Sequence, residues 1–557
     1  MKKYLLQSCR AITAAAVVYV SPSASADVTK ADNTTALNLG GSYTGGVAPT
    51  GTDLLLIDST LTAARTAALG GNVSVLGIAA TSANALTINN TAGATLTIGA
   101  SGITKSGAGG LTFNHATSLG GNITMSTGTS ALSFNGGLTL TANQTWAIAN
   151  SRINFSGPLT TGGNTLNISG TSGSSGIVSF YTTNTLGTEI TFGTMDRIYV
   201  QGGTVTFNGT NNTNSRFQMF GGTANVASMG NLTGASSIGK DSAYVQSGAT
   251  LNYTGNTFSS NKGFSRDNNG NSTINVTTSG QTLSMSGNLT TGTATATGGW
   301  VFGGAGNLTL TGVINNANNT TVTKNGAGTL TLGGLNTYAG TTTVTAGSLQ
   351  VGIAGTGTTG TGAVTVQTGG TIFGTGIVKG STFTAQSGST VQAGDGTAQA
   401  NYGTLNFTPA SGSGTFDFQS GSSTILGLNP GGTGDLLSFN GLSAGTLNFN
   451  GGLAVTAPGY TPTGVEVFNL LDWTNISSTT TFASRFIAGS YGGYLLGNGD
   501  DNLGFDLPDI SSSGYAWDIS QFTTNGTIST VFVAPEPSRA LLLMLGFAGF
   551  VTRRRRQ

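Results

Sequence analysis

An all-β chain, wound as a right-handed parallel β-helix (solenoid) and closed by a C-terminal β-rich capping region, is the fold this sequence predicts. Three observations lead there. Gly accounts for 91 of 557 residues without a strict third-residue period, which excludes a collagen-like helix and leaves closely spaced turns. Apolar residues are 37% of the chain and charged residues 7%. The apolar ones recur at period two in short runs, a strand pattern, and that apolar content separates the chain from disordered sequences. Finally, short strands punctuated by glycine recur over hundreds of residues, and a unit that cannot bury its apolar face alone must stack on copies of itself.

Residues 1–26 read as an export signal. Lys2 and Lys3 form a basic start, Ala11 to Val20 is apolar, and Ala24-Ser25-Ala26 is a small-x-small cleavage site, so that the mature chain begins near Asp27. Cys9 is the only cysteine and lacks the small-residue context of a lipid-modified one. Cleavage removes it, which excludes disulfides and thiolate metal sites.

Residues 27–400 form the solenoid region. Its clearest unit is TVTKNGAGTLTLGGLNTYAGTTTVTAGSLQVG, residues 321–352. In TLTL, Leu330 and Leu332 share one face and Thr329 and Thr331 the other. Gly326, Gly328, Gly333, Gly334 and Gly340 mark turns. The unit resembles the autotransporter-associated β-strand repeat at Lys324, Gly326, Gly328, Leu330, Leu332, Asn336, Tyr338, Gly340, Thr342, Gly347, Leu349 and Val351. Degenerate copies begin at ITKSGAGGLTF (103–113), SGATLNYTG (247–255) and GAGNLTLTG (304–312). With roughly 20 to 25 residues per coil and layers about 4.8 Å apart, residues 35–400 would make a rod on the order of 70 to 85 Å long. Stacked Asn and Thr side chains can form hydrogen-bonded ladders along it, in place of disulfides.

Residues 401–533 still read as strands, but ten of the 18 carboxylates between residues 27 and 533 fall from Asp395 onward. This segment is expected to cap the rod and cover its open edges.

The last stretch, residues 534–557, is foreign to the rest. Ala534-Pro535-Glu536-Pro537-Ser538 precedes an uncharged run from Ala540 to Thr552, and Arg553, Arg554, Arg555 and Arg556 follow. Thirteen residues span roughly 20 Å as a helix, short of a bilayer core of roughly 30 Å. The arginines would hold their end on the cytoplasmic side. The three elements resemble a PEP-CTERM sorting signal of Gram-negative, biofilm-forming bacteria. That resemblance implies recognition of Pro535, Glu536 and Pro537 by an exosortase-type processing enzyme, transient contact with the inner membrane, and release to the cell surface or extracellular matrix.

Chemistry is sparse in the body of the chain. Residues 27–533 carry 12 Lys and Arg against 18 Asp and Glu, a net of about −6, so no basic patch exists to neutralise phosphates and no nucleic-acid partner is expected. His115 is the sole histidine, read as a turn or surface residue; it excludes a multi-histidine metal site. Glu189, Asp196 and Arg197 could serve a polysaccharide-cleaving β-helix only if folding clusters them. Asp500, Asp501, Asp506 and Asp509 lie in a glycine-rich acidic loop, but their spacing fits neither an EF-hand nor a Gly-Gly-x-Gly-x-Asp repeat. Tyr181, Trp300 and Tyr338 are aromatics able to stack on sugar rings. No catalytic residue, cofactor or metal is expected. The sequence reads as a secreted, non-enzymatic structural or adhesive protein associated with extracellular polysaccharide. Its rivals are a β-helix lyase or glycosidase and an autotransporter-like passenger.

Overall fold

A computed structural model describes residues 26–533, apart from 171–175, 194–196, 211, 215, 247, 267–268, 293–296, 316–318, 396–401, 430–432, 441–443, 474–479, 487–494 and 496–504. The signal segment up to Ser25, the sorting-signal residues Pro535, Glu536 and Pro537, and Arg553 to Arg556 therefore lie outside the described residues; Ala26, the last residue of the expected cleavage site, opens them.

Parallel β-strands of two to ten residues stack into long ladders, as the short apolar runs predict. Each coil visits three faces. The first is a 12-stranded sheet from Arg65–Ala68 to Ile314–Asn315. The second becomes a 13-stranded sheet from Asn184–Leu186 to Thr480–Phe482. The third is served by one sheet up to Ile190–Phe192 and by another from Phe258–Ser260 to Phe505–Asp506. The ladders are in register: Leu132 lies between Leu111 and Ile153, and Phe134 between Phe113 and Phe155. At about 4.8 Å per layer the whole stack is a rod on the order of 90 Å long.

Register decides the core. Like residues recur at the same height, so side chains pile into columns through the rod. Phe113, Phe134, Phe155 and Phe180 stack with centroids 5.3, 5.8 and 5.4 Å apart, and Trp146 lies nearly parallel to Phe155 at 6.2 Å. Such pairs contribute about 0.5–1.5 kcal/mol each beyond area burial. On the outside the expected amide ladders form: Asn114 Nδ2 donates to Asn89 Oδ1 at 2.8 Å and Asn135 Nδ2 to Asn114 Oδ1 at 2.7 Å.

The change in composition near residue 400 leaves no break in the ladders. Ser413–Phe418, Ala444–Phe449 and Thr480–Phe482 continue the 13-stranded sheet in parallel. Acid content tracks the solvent face, which is free to vary, whereas stacking is set by inward columns such as Phe383, Phe416 and Leu447. Closure comes later, from a three-stranded antiparallel sheet in which Thr527–Phe532 lies between Val467–Asn469 and Tyr515–Asp518. Trp517, fully buried, anchors it and donates from Nε1 to the Pro508 carbonyl at 2.9 Å.

Candidate functional site

Of the residues that could carry catalysis, Glu189, Arg197, Asp506 and Asp509 are described. Glu189 sits at the turn into Ile190–Phe192, where its Oε1 accepts a 2.7 Å bond from the Thr161 hydroxyl. Arg197 starts a strand of a different sheet and donates to the Tyr199 hydroxyl at 2.8 Å. Asp196 lies outside the described residues, as do Asp500 and Asp501. Asp509 accepts the Ser511 amide at 2.9 Å, and this turn holds its carboxyl below the usual range. Among the described residues, no three His, Cys, Asp or Glu side chains come close enough to hold a metal ion.

His115 sits at a bend between Leu111–Phe113 and Thr117–Leu119, as the turn reading expects, but it is buried and so not a surface residue. Its Nδ1 lies 3.0 Å from the Ala116 carbonyl oxygen, so Nδ1 carries the proton, and its ring meets Phe113 edge-on at 5.8 Å. Burial lowers its pKa. The backbone of the next coil at Gly136 packs directly over His115, where a Cβ would collide with it. Corner residues lie outside the period-two pattern, which is why alternation could not place this one.

Two of the three proposed sugar-stacking aromatics are also unavailable. Trp300 and Tyr338 are fully buried, while Tyr181 remains 42% exposed. Trp300 is in register with Ser272 and Val322, both inward positions. Tyr338 is tucked beneath a corner with its hydroxyl 2.8 Å from Thr342 Oγ1.

Buried cations are what the sequence reading missed. Lys30, Lys105, Lys262 and Lys324 are all buried, and each ammonium is held largely by main-chain carbonyls. Lys324 Nζ donates to the carbonyls of Asn325, Gly326 and Ala346 at 2.8, 2.7 and 3.1 Å; Lys105 Nζ donates to Gly107 O at 2.8 Å. Desolvation pulls all four down to about 8. The Lys-x-Gly pattern shared by Lys324-x-Gly326 and Lys105-x-Gly107 is thus a turn clamp: the chain reverses under its own lysine, and glycine lets the carbonyl approach. Spacing alone showed the motif but not its job. Asp435 plays the converse part, its two oxygens accepting the Gly403 and Gly427 amides at 2.8 Å each, with burial pushing it up to about 6.

What the rod displays is a lattice of hydroxyls and amides. Along the 13-stranded sheet, Thr204, Thr223, Thr250, Thr273, Val301, Thr323, Thr343, Thr365 and Thr384 occupy one outward column. Two residues further along each strand, Asn225 donates to Thr206, Asn252 to Asn225 and Asn275 to Asn252, at 2.9–3.0 Å. The column supplies hydroxyl donors and acceptors at every one of these layers except that of Val301, on a face with almost no charge.

Residues 322–351 match the passenger-associated-transport-repeat family. A stretch of 125 residues is 38% identical to a protein of Brucella suis biovar 1 (strain 1330) called adhesin BmaC autotransporter. That stretch is 22% of this chain and 4% of the Brucella protein, so the chain matches only a small part of that relative's length. A passenger-type transport repeat, stacked within a parallel β-solenoid, is therefore part of this protein.

Proposed function

We propose that the protein is a non-enzymatic structural or adhesive rod of a Gram-negative cell surface or extracellular matrix, associated with extracellular polysaccharide. The observation that carries this reading is the outward column of threonines, broken only by Val301 among Thr204 to Thr384, with its neighbouring amide ladder: a long, nearly uncharged face of repeating hydroxyls suits an extended neutral polymer. The dispersion of Glu189 and Arg197 onto different sheets supports binding over cleavage. The adhesin name of the Brucella relative supports a surface role, and the transport repeat keeps a passenger-like mode of export as the second reading.

The C-terminal stretch completes the proposal. An exosortase-type enzyme recognises Pro535, Glu536 and Pro537 while Arg553 to Arg556 hold the precursor at the inner membrane, and the rod is then released outward. The test is a host lacking the gene, complemented with the full chain or with a Pro535→Ala/Pro537→Ala variant. The full chain should enter the matrix fraction and restore attachment to a polysaccharide-coated surface; the variant should stay with the cells. Equal matrix release of both would refute the sorting step, and unchanged attachment on gene loss would refute the adhesive role.

A further inference from the structure

The third face of the rod is interrupted part-way along. Among the described residues, two successive coils lack a strand on the third face, between Phe207 and Arg216 and again between Val226 and Ala243, and the sheet ending at Ile190–Phe192 is separate from the one starting at Phe258–Ser260. Side chains plug the gap. Asn212 and Ser236 form an antiparallel bridge, Asn212 Oδ1 accepts the Phe192 amide at 3.0 Å, and Asn212 Nδ2 donates to Ser237 O at 2.9 Å. The buried Lys262 ammonium donates to Ser236 Oγ at 3.1 Å and to the Gly239 carbonyl. The loop is strained: Thr233 has φ of 68°, a left-handed conformation that a β-branched residue rarely adopts.

Where this loop meets the first strands of the new sheet lies an open groove of about 470 Å³, its polar lining drawn from Asn231, Ser259, Asn261, Ser284, Ser286 and Thr311. Asn261 accepts the Leu232 amide at 2.6 Å, and Asn231 accepts the Asn261 amide at 3.0 Å. This reciprocal pair uses both side-chain oxygens as acceptors and leaves both Nδ2 donors without a partner among the described residues. The hydroxyls of Ser259, Ser284 and Ser286 are likewise unengaged there. Single asparagines elsewhere, such as Asn72, Asn122, Asn143 and Asn288, also accept a backbone N–H of the next coil through Oδ1; here two such amides and three serine hydroxyls line one groove. Leu232, 38% exposed, follows Asn231 directly in the chain, and Met285 is the apolar residue of the lining itself.

We infer that this groove is a subsite for a short, uncharged stretch of polysaccharide chain. The inference rests on the polysaccharide-binding reading above. Convergent amide donors and hydroxyls match the alternating donors and acceptors of sugar hydroxyls. No carboxylate, lysine or arginine lines the groove, and Lys262 spends its charge inward, so an anionic or cationic ligand gains nothing. The interruption of the third face supplies the concavity that a flat column of threonines lacks.

The test uses the secreted full-length product purified from the host, sedimented with the host's own extracellular polysaccharide over a concentration series. Ser284→Tyr fills the groove, Asn231→Ala removes one amide donor, and Thr343→Tyr, on the flat threonine column, is the comparison. Ser284→Tyr should raise the half-binding concentration at least tenfold and Asn231→Ala several-fold, with Thr343→Tyr having the smaller effect. Native-like circular dichroism of each variant guards against misfolding, and Asn231→Ala, a truncation on an exposed loop, keeps the test open if Ser284→Tyr fails to fold. Binding unchanged in both groove variants while the wild type sediments would overturn the subsite and leave the general function standing. A wild type that does not sediment would overturn both.

Discussion

Replacing Lys324 by Met keeps the length and apolar stem of the side chain but deletes the ammonium that closes the turn after Thr320–Lys324. Three carbonyls, of Asn325, Gly326 and Ala346, lose their donor. A buried acceptor left unpaired costs about 1–3 kcal/mol, and water at the corner recovers part of that, while removal of a desolvated charge gives some back. The net expectation is a loss of about 2–4 kcal/mol, felt mainly in the adjoining layers because a solenoid transmits stability between nearest neighbours. The pH dependence carries a second signature. Lys324 titrates at about 8 in the fold against an ordinary 10.5. Below pH 8 both folded and unfolded chains hold the proton, and the desolvation cost is fully present. Between pH 8 and 10.5 only the unfolded chain holds it, so wild-type stability rises with pH across that window. Native-state hydrogen exchange of the Thr342–Val344 amides, which pair with Val322 to Lys324, reads both effects. The variant should exchange faster at pH 7 and lose part of the gain seen from pH 8 to 9.5. Protection equal to wild type at pH 7, or an undiminished pH slope, would refute the clamp.

Three further outcomes follow from the same geometry. Phe155→Ala removes a ring stacked between Phe134 and Phe180 and beside Trp146, and should cost about 3–5 kcal/mol, measured as lost protection in the layers on either side with little change at Phe383 or beyond. Gly328→Ala would drive a Cβ into the Gly306 carbonyl oxygen of the preceding layer; it should destabilise by at least about 1–3 kcal/mol and open a protease-sensitive site near residue 328. His115, with a pKa depressed by burial, takes its proton more readily in the unfolded chain, so stability at its layer should fall as pH drops through about 6.5. His115→Phe should abolish that step in hydrogen exchange around Leu111–Phe113.

The architecture was largely open to reading because a solenoid writes its geometry locally. Alternation in TLTL placed Leu330 and Leu332 inward, and both are fully buried. What alternation cannot address is the corner, where the period is broken and the environment is set by the layer above. Lys324, Tyr338 and His115 all sit at or beside corners, and each turned out to be interior. Trp300 failed for another reason: its ring looked available by residue type, but register with Val322 fixes it inward. The groove was not legible either. It arises from two missing third-face strands, and only the pairing of Asn212 with Ser236 and of Asn231 with Asn261 shows where the loops fall. Absence of a strand leaves no pattern for periodicity to detect.

The central claim is a rod that binds polysaccharide without cutting it. The most direct measurement is prolonged incubation of the secreted protein with the host's extracellular polysaccharide, followed by sedimentation and assay of both the pellet and the soluble sugars. Protein in the pellet with no rise in soluble oligosaccharide is the predicted result. Release of oligosaccharide that Glu189→Gln abolishes would contradict it and make the protein an enzyme.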